Sequence, residues 1–323
     1  MPRIAILLIA AILALAGCSS GSAPGGGARS GHRASTAPAP GQRLAYLHTL
    51  RTGGKPCAVL GAADAIWVAD IVDARVDRID PATGKITARI KTGLQPCGMA
   101  YGARSVWVEN YGADTVTRID VRTLRSRTYP VGASPYDVTF LAGAAWVTNY
   151  AASTVTRIDA ATGRTRSITV GLSPEGIARA AGALWTANYG DGTVSRIDPS
   201  SLRVRTLTIG GSPAWTAYAG STVWVGDQTA GTIVRINART ATIVARIKVG
   251  RTPNDGDVLG SSVWFPDKGG GLYRISRTSN RVSGPYPLHA ADPFTLAAYD
   301  GRLWIANYGG TDVLVVSPAQ LPG

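Results

Sequence analysis

The stretch that decides the fold runs from Pro135 to Asp159. It reads Pro135-Tyr136-Asp137, then Trp146-Val147-Thr148-Asn149-Tyr150, then Thr154-Val155-Thr156-Arg157-Ile158-Asp159. Proline stands 11 residues before the tryptophan, Asn three residues after it, and Arg-Ile-Asp closes the unit. Working outward, the tryptophan recurs at Trp67, Trp107, Trp146, Trp185, Trp224, Trp264 and Trp304, at spacings of 39 or 40. The proline recurs with it at Pro56, Pro96, Pro135, Pro174, Pro213, Pro253 and Pro293. The third residue after each Trp is Asp70, Asn110, Asn149, Asn188, Asp227, Asp267 or Asn307. Six units carry Arg-Ile followed by Asp, Asn or Ser, as in Arg78-Ile79-Asp80. Seven recurrences in one register define a repeat architecture.

Each unit reads as four short strands. Period-two alternation between Gly, Asn and Asp turn signals predicts strands A to D over 98–101, 105–109, 115–119 and 125–130 of the second unit. No 3.6-residue apolar stripe appears, which excludes helical repeats. Four strands in about 40 residues predict an all-β, seven-bladed β-propeller of four-stranded blades. The last unit lacks a fourth strand, whereas residues 44–51 form a strand with no unit of their own. Leu50-Arg51-Thr52-Gly53 matches Ile90-Lys91-Thr92-Gly93 at the end of a D strand. The N-terminal strand is therefore expected to complete blade seven and remove its open edge. Trp, large and flat, suits the packing of blade on blade.

Composition agrees. The chain has 323 residues, 45% apolar and 16% charged, with 39 Gly and 19 Pro. That apolar fraction excludes wholesale disorder. Residues 1–17 read as a leader: Arg3, then an apolar run too short to cross a bilayer, ending Leu15-Ala16-Gly17-Cys18. This order is that of a bacterial lipobox, with Cys18 as the lipidated residue; the alternative is an ordinary secretory signal with a chance Cys. Residues 18–42, rich in Ser, Gly, Ala and Pro, are expected to be a flexible tether before the propeller at 43–323. The protein is thereby expected outside the cytoplasm, held to the bacterial membrane by lipid.

Strands A and B are antiparallel, so the start of A and the end of B share one mouth of the ring. The residue after each proline varies: Cys57, Cys97, Tyr136, Glu175, Ala214, Asn254 and Phe294. Variable positions on a constant frame can read a ligand, or can plug a narrow channel. Tyr136, Glu175, Asn254, Asp255 and Phe294, with the Asx ring, form the candidate ligand-binding set. The Asx residues also have a purely structural role available, as caps of tight turns. Tyr111, Tyr150, Tyr189 and Tyr308 either rim the mouth or cover those turns. Of three Cys, lipidation of Cys18 leaves Cys57 and Cys97 at equivalent points of adjacent inner strands. In an oxidising compartment they form a disulfide, or else two buried thiols.

Trp146-Val147-Thr148-Asn149-Tyr150 followed by Thr154 to Asp159 resembles the YVTN-type propeller repeat. The pattern from Pro174 to Trp185 is also similar to the streptogramin lyase family, that of virginiamycin B lyase. The resemblance covers about residues 43–317. It implies catalytic His at post-proline positions of two late blades, a Glu at a Trp-plus-three position and a bound magnesium. Here Asn254, Phe294 and Asn307 stand at such places. The only His are His32 in the tether, His48 in the closing strand and His289 before Pro293. General acid–base elimination needs a positioned proton acceptor. No Ser-His-Asp order, metal-ligand spacing, Walker loop or GxGxxG is present. The expectation is a binding or scaffold module of the cell envelope, with no catalytic residue, metal or cofactor; the alternative is a carbon–oxygen lyase with altered residues.

Lys and Arg number 33 against 20 Asp and Glu, a formal charge of +13. The excess falls largely in strands C and D, which predicts a basic rim able to meet anionic lipid or envelope polymer. Its spread around the repeats argues against nucleic acid, and a monomer is expected. Arg78, Arg118, Arg157 and Arg196 are expected to pair with the Asp of their own motif.

Overall fold

The computed structural model describes residues 45–250 and 252–318. The leader, Cys18, the tether and His32 lie outside the described residues. Seven antiparallel four-stranded sheets follow one another along the chain. Six are built from consecutive strands. In the seventh, Ala45–Arg51 pairs with Asp312–Ser317 and completes the sheet of Pro293–Tyr299, Arg302–Asn307 and Asp312–Ser317. The Thr52 N–H and Oγ1 both donate to the Thr311 carbonyl across this seam. No described segment is a helix.

The first strands are Pro56–Ala62, Pro96–Gly102, Pro135–Leu141, Pro174–Ala180, Pro213–Ala219, Asp257–Leu259 and Pro293–Tyr299. Each lies against the first strand of both neighbouring blades, and the last lies against the first, so that the inner strands close a circle. They begin earlier than the sequence pattern predicts, at the proline itself, except in blade six. There Pro266 on the second strand has no N–H to give, and only a bridge from Pro253 to Asp267 and the Asn254 N–H to the Pro266 carbonyl remain before Asp257. Two-residue turns join A to B, with positive φ at both positions in five blades, as at Ala142 and Gly143, and at the first position alone, Gly220 and Gly260, in blades five and six, the geometries that match strand twist.

Seven apolar clusters occupy the seven blade interfaces. Trp146 packs on Ile177, Leu184 and Ile197 of the next blade. Trp304 packs on Val59, Ile66, Val68 and Ile79 of blade one, closing the series. The repeated Trp are all buried, and five donate their indole N–H to the carbonyl that ends strand A, as Trp146 does to Leu141 at 3.0 Å.

The motif arginines correct one expectation. In the B–C ladder Arg stands directly opposite Trp, as Arg118 opposite Trp107. The guanidinium therefore lies over the indole, 4.9 Å from its centroid for Arg118 and 5.8 to 5.9 Å for Arg78, Arg157, Arg196, Arg235 and Arg274. Only Arg157 also reaches its own Asp159, at 2.9 Å. The motif Asp instead caps the following turn: Asp120 accepts the N–H groups of Arg122 and Thr123. Asp80, Asp159 and Asp198 do the same.

Candidate functional site

Proline can open strand A because it has no N–H for the ladder to use. Beyond it the A–B register slips in six blades, as between Pro135 and Asp137 and between Pro213 and Trp215. A bulge re-aims side chains, and here the second residue after proline joins the first in lining the ring. That second residue is Ala58, Gly98, Asp137, Gly176, Trp215, Asp255 or Thr295. The two glycines have a steric reason. A Cβ on Gly176 would stand 2.7 Å from the Ala214 carbonyl oxygen, and one on Gly98 would stand 2.9 Å from the Asp137 Cα.

The post-proline residues fill distinct roles. Cys57 and Cys97 form a disulfide between blades one and two, with Cα atoms 5.1 Å apart. Ala214 is small, and Trp215 beside it reaches across the ring. Tyr136 stacks 5.5 Å from Trp215, which meets Phe294 edge-on at 5.1 Å; Phe294 is 5.3 Å from Tyr308. Tyr111 and Tyr150 flank Tyr136 at 6.2 and 5.8 Å. The Lys55 Nζ sits 4.0 Å from the centroid of Tyr308. An aromatic belt thus spans blades two, three, five and seven; Tyr189 has no ring contact in it.

Beside the belt lie Glu109, Asp137, Glu175, Asp255 and Asp257. Burial pushes all five carboxyls up, Asp137 to about 7 and Glu175 to about 8. Repulsion from Asp137 adds to Glu109 and Asp255. The ion pairs among the described residues lie elsewhere, at Arg75, Arg89 and Arg157. Asp137 Oδ2 accepts the Ile177 N–H of blade four, and Asp257 Oδ2 accepts the Ala298 N–H of blade seven. Asn254 donates through Nδ2 to the Pro293 carbonyl, tying blade six to blade seven.

The seven Asx side chains sit just behind this lining and are hydrogen-bonded, six of them to backbone N–H groups. Asn149 Oδ1 accepts the Gly132 N–H, and its Nδ2 reaches Thr154 Oγ1 and Thr156 Oγ1. Asn110 repeats the pattern on Gly93, Thr115 and Thr117, whereas Asn188 reaches Thr193 and Ser195 through Nδ2 but accepts the Thr186 hydroxyl at Oδ1. Asp70, Asp227, Asp267 and Asn307 accept turn N–H groups. Asn149→Ala is expected to leave the fold intact and to cost about 1–3 kcal/mol, because the half-buried Gly132 N–H loses its acceptor and Thr154 and Thr156 lose their donor. An unchanged melting temperature would show that water replaces the amide.

Sequence reasoning missed Glu109, Asp137, Trp215 and Asp257. Trp215 is the one Trp off the repeat period, and Glu109 is the one charged residue two positions after a repeat Trp. Both signals were available. The magnesium implied by the lyase resemblance does not fit this mouth. Asn307 spends its amide on Ala291, Asp292 and Asp312. No three His, Cys, Asp or Glu come together to hold a metal ion among the described residues.

Comparison with known proteins agrees on the architecture. Residues 103–216 match DUF6923, a repeat of unknown function. No curated protein matches the sequence. Virginiamycin B lyase of Staphylococcus aureus superposes with a TM-score of 0.75 at 18% identity, over 84% of this chain and 98% of the enzyme. A catalytically inactive variant of it with quinupristin gives 0.75 and 18%, over 85% and 99%. Hydrazine synthase of Kuenenia stuttgartiensis gives 0.71 and 14%, over 81% and 95%. At these identities the likeness is one of fold.

Proposed function

We propose that the chain is a membrane-tethered, extracytoplasmic β-propeller that binds a small ligand at the mouth of its ring. The observation that carries this reading is the aromatic belt from Tyr111 to Tyr308, in which Tyr136, Trp215 and Phe294 break the repeat and meet the recurrent Tyr111, Tyr150 and Tyr308. Framework residues pack blades; Tyr136, Trp215 and Phe294 do not recur and converge on one place. Support for the location comes from the leader, Cys18 and the disulfide, whose formation favours an oxidising compartment. The exposed basic residues of the D strands, such as Arg125, Arg127, Arg164, Arg166, Arg203 and Arg205, support contact with anionic lipid or polymer. Asn254, Phe294 and Asn307 at the places of the lyase machinery support binding over elimination. Lyase chemistry with altered residues is favoured by the fold likeness alone, and turnover of quinupristin by the purified chain would establish it.

Metabolic palmitate labelling is expected to mark the protein and to fail in Cys18→Ser, with the variant lost from the membrane fraction. The unlipidated variant is expected to bind anionic vesicles at low salt and to leave them by about 0.5 M, where screening is strong. Native mass spectrometry of protein released gently from membranes should show a bound small molecule that Trp215→Ala loses. An unmodified, fully soluble wild type would refute the anchor; a mouth without adduct in both forms would refute the binding reading.

A further inference from the structure

The mouth combines two features that the fold itself does not require, a convergent set of aromatic rings and carboxyls without cations. We propose that it takes a small organic ammonium compound, with the apolar part against Tyr136, Trp215 and Phe294 and the ammonium directed at the carboxyls of Glu109, Asp137 and Asp255. This rests on the reading of the mouth as a ligand site and names the chemistry of that ligand.

Glu109 carries the argument furthest. Its side chain is 1% exposed, and Oε1 accepts the Gly98 N–H at 2.8 Å, while Oε2 is buried with no hydrogen-bond partner. A buried acceptor left unmade is costly, and an ammonium supplies the donors it lacks. Asp137 stands within electrostatic reach of both Glu109 and Asp255, and no Lys, Arg or His pairs with any of the three among the described residues. The rings add a second attraction, since a cation is stabilised over an aromatic face. The protein already uses that attraction at this mouth, where Lys55 Nζ lies over Tyr308. A metal cation is the weaker candidate, because no three acidic, His or Cys side chains converge and the belt offers rings in place of oxygens.

A bound ammonium favours the ionised carboxyl, so protons held by burial leave on binding. Titration calorimetry of the full chain in detergent with 2-phenylethylammonium, at pH 6.5 in phosphate and in imidazole, reads both affinity and proton release. The expected result is binding with net proton release, at least about tenfold weaker for uncharged 2-phenylethanol and for Glu109→Gln. Asp255→Asn, on an irregular segment, serves the same purpose should Glu109→Gln fail to fold. Equal affinity for amine and alcohol, both lost in Trp215→Ala, would overturn the ammonium assignment while leaving the mouth a ligand site. No amine binding, or amine binding insensitive to Trp215→Ala and to both carboxyl variants, would also overturn it.

Discussion

Replacing Cys57 and Cys97 together by Ala is expected to lower the unfolding free energy by about 2–5 kcal/mol. The bond joins residues 40 apart in sequence on the inner strands of blades one and two. Cross-linking a loop of that size removes many conformations from the unfolded chain, and the native state keeps its advantage only while the bond is intact. The location adds to the effect. Thr295 Oγ1 of blade seven donates to the Cys57 carbonyl at 3.0 Å, so the cysteine's own backbone lies at the seam where the ring closes. Thermal melts of wild type with and without reductant, beside the double variant, measure the loss. Thiol counting on unfolded, unreduced protein should find neither Cys57 nor Cys97 free. Equal melting temperatures in all three samples would show that blade packing alone holds the seam.

The second large effect is a fall in stability as pH rises from about 5 to 9. Asp137 and Glu175 titrate near 7 and 8 in the folded protein, and burial is the leading cause in both. In the unfolded chain both titrate near about 4. Below that value both states hold the protons and the stabilisation is complete. Between it and the folded values the native state binds more protons than the unfolded one, so each rise in pH costs stability. Each unit of raised pKa is worth about 1.4 kcal/mol, which makes the combined loss for the two carboxyls on the order of 9 kcal/mol. The turn-capping Asp159, held down at about 2 by the Thr162 N–H and hydroxyl and by Arg157, acts in the opposite sense, in acid. The stability maximum should accordingly lie at about pH 4, where the unfolded carboxyls titrate. Chemical denaturation across this range is the check, and Glu175→Gln should flatten the slope. A stability that is level or rising towards pH 9 would mean that the channel carboxyls are ionised and solvated.

Blade number, strand order and ring closure were legible because they depend on periodicity alone, which seven copies of Pro, Trp and Asx report together. The partner of Arg118 was not, because adjacency along one strand suggested Asp120, whereas cross-strand register puts Trp107 opposite it. The mouth was legible in part. Tyr136, Phe294 and the two cysteines came from the first position after proline, where variation is plain. Asp137 and Trp215 sit one residue further on, and only the bulge after the proline brings them into the same lining. Glu109 belongs to strand B, where its neighbours in other blades are mostly small.

The seam in blade seven also sets an order of assembly. Six sheets draw on neighbouring segments, but Ala45–Arg51 finds its partner only when Asp312–Ser317 is present. Contacts of such high sequence separation form late and slowly. A ribosome or translocon that delivers the chain from its N-terminus therefore releases blades one to six as an open arc. Its first strand waits with a bare hydrogen-bonding edge for almost the whole synthesis, and shielding that edge is the step on which the yield of closed rings depends.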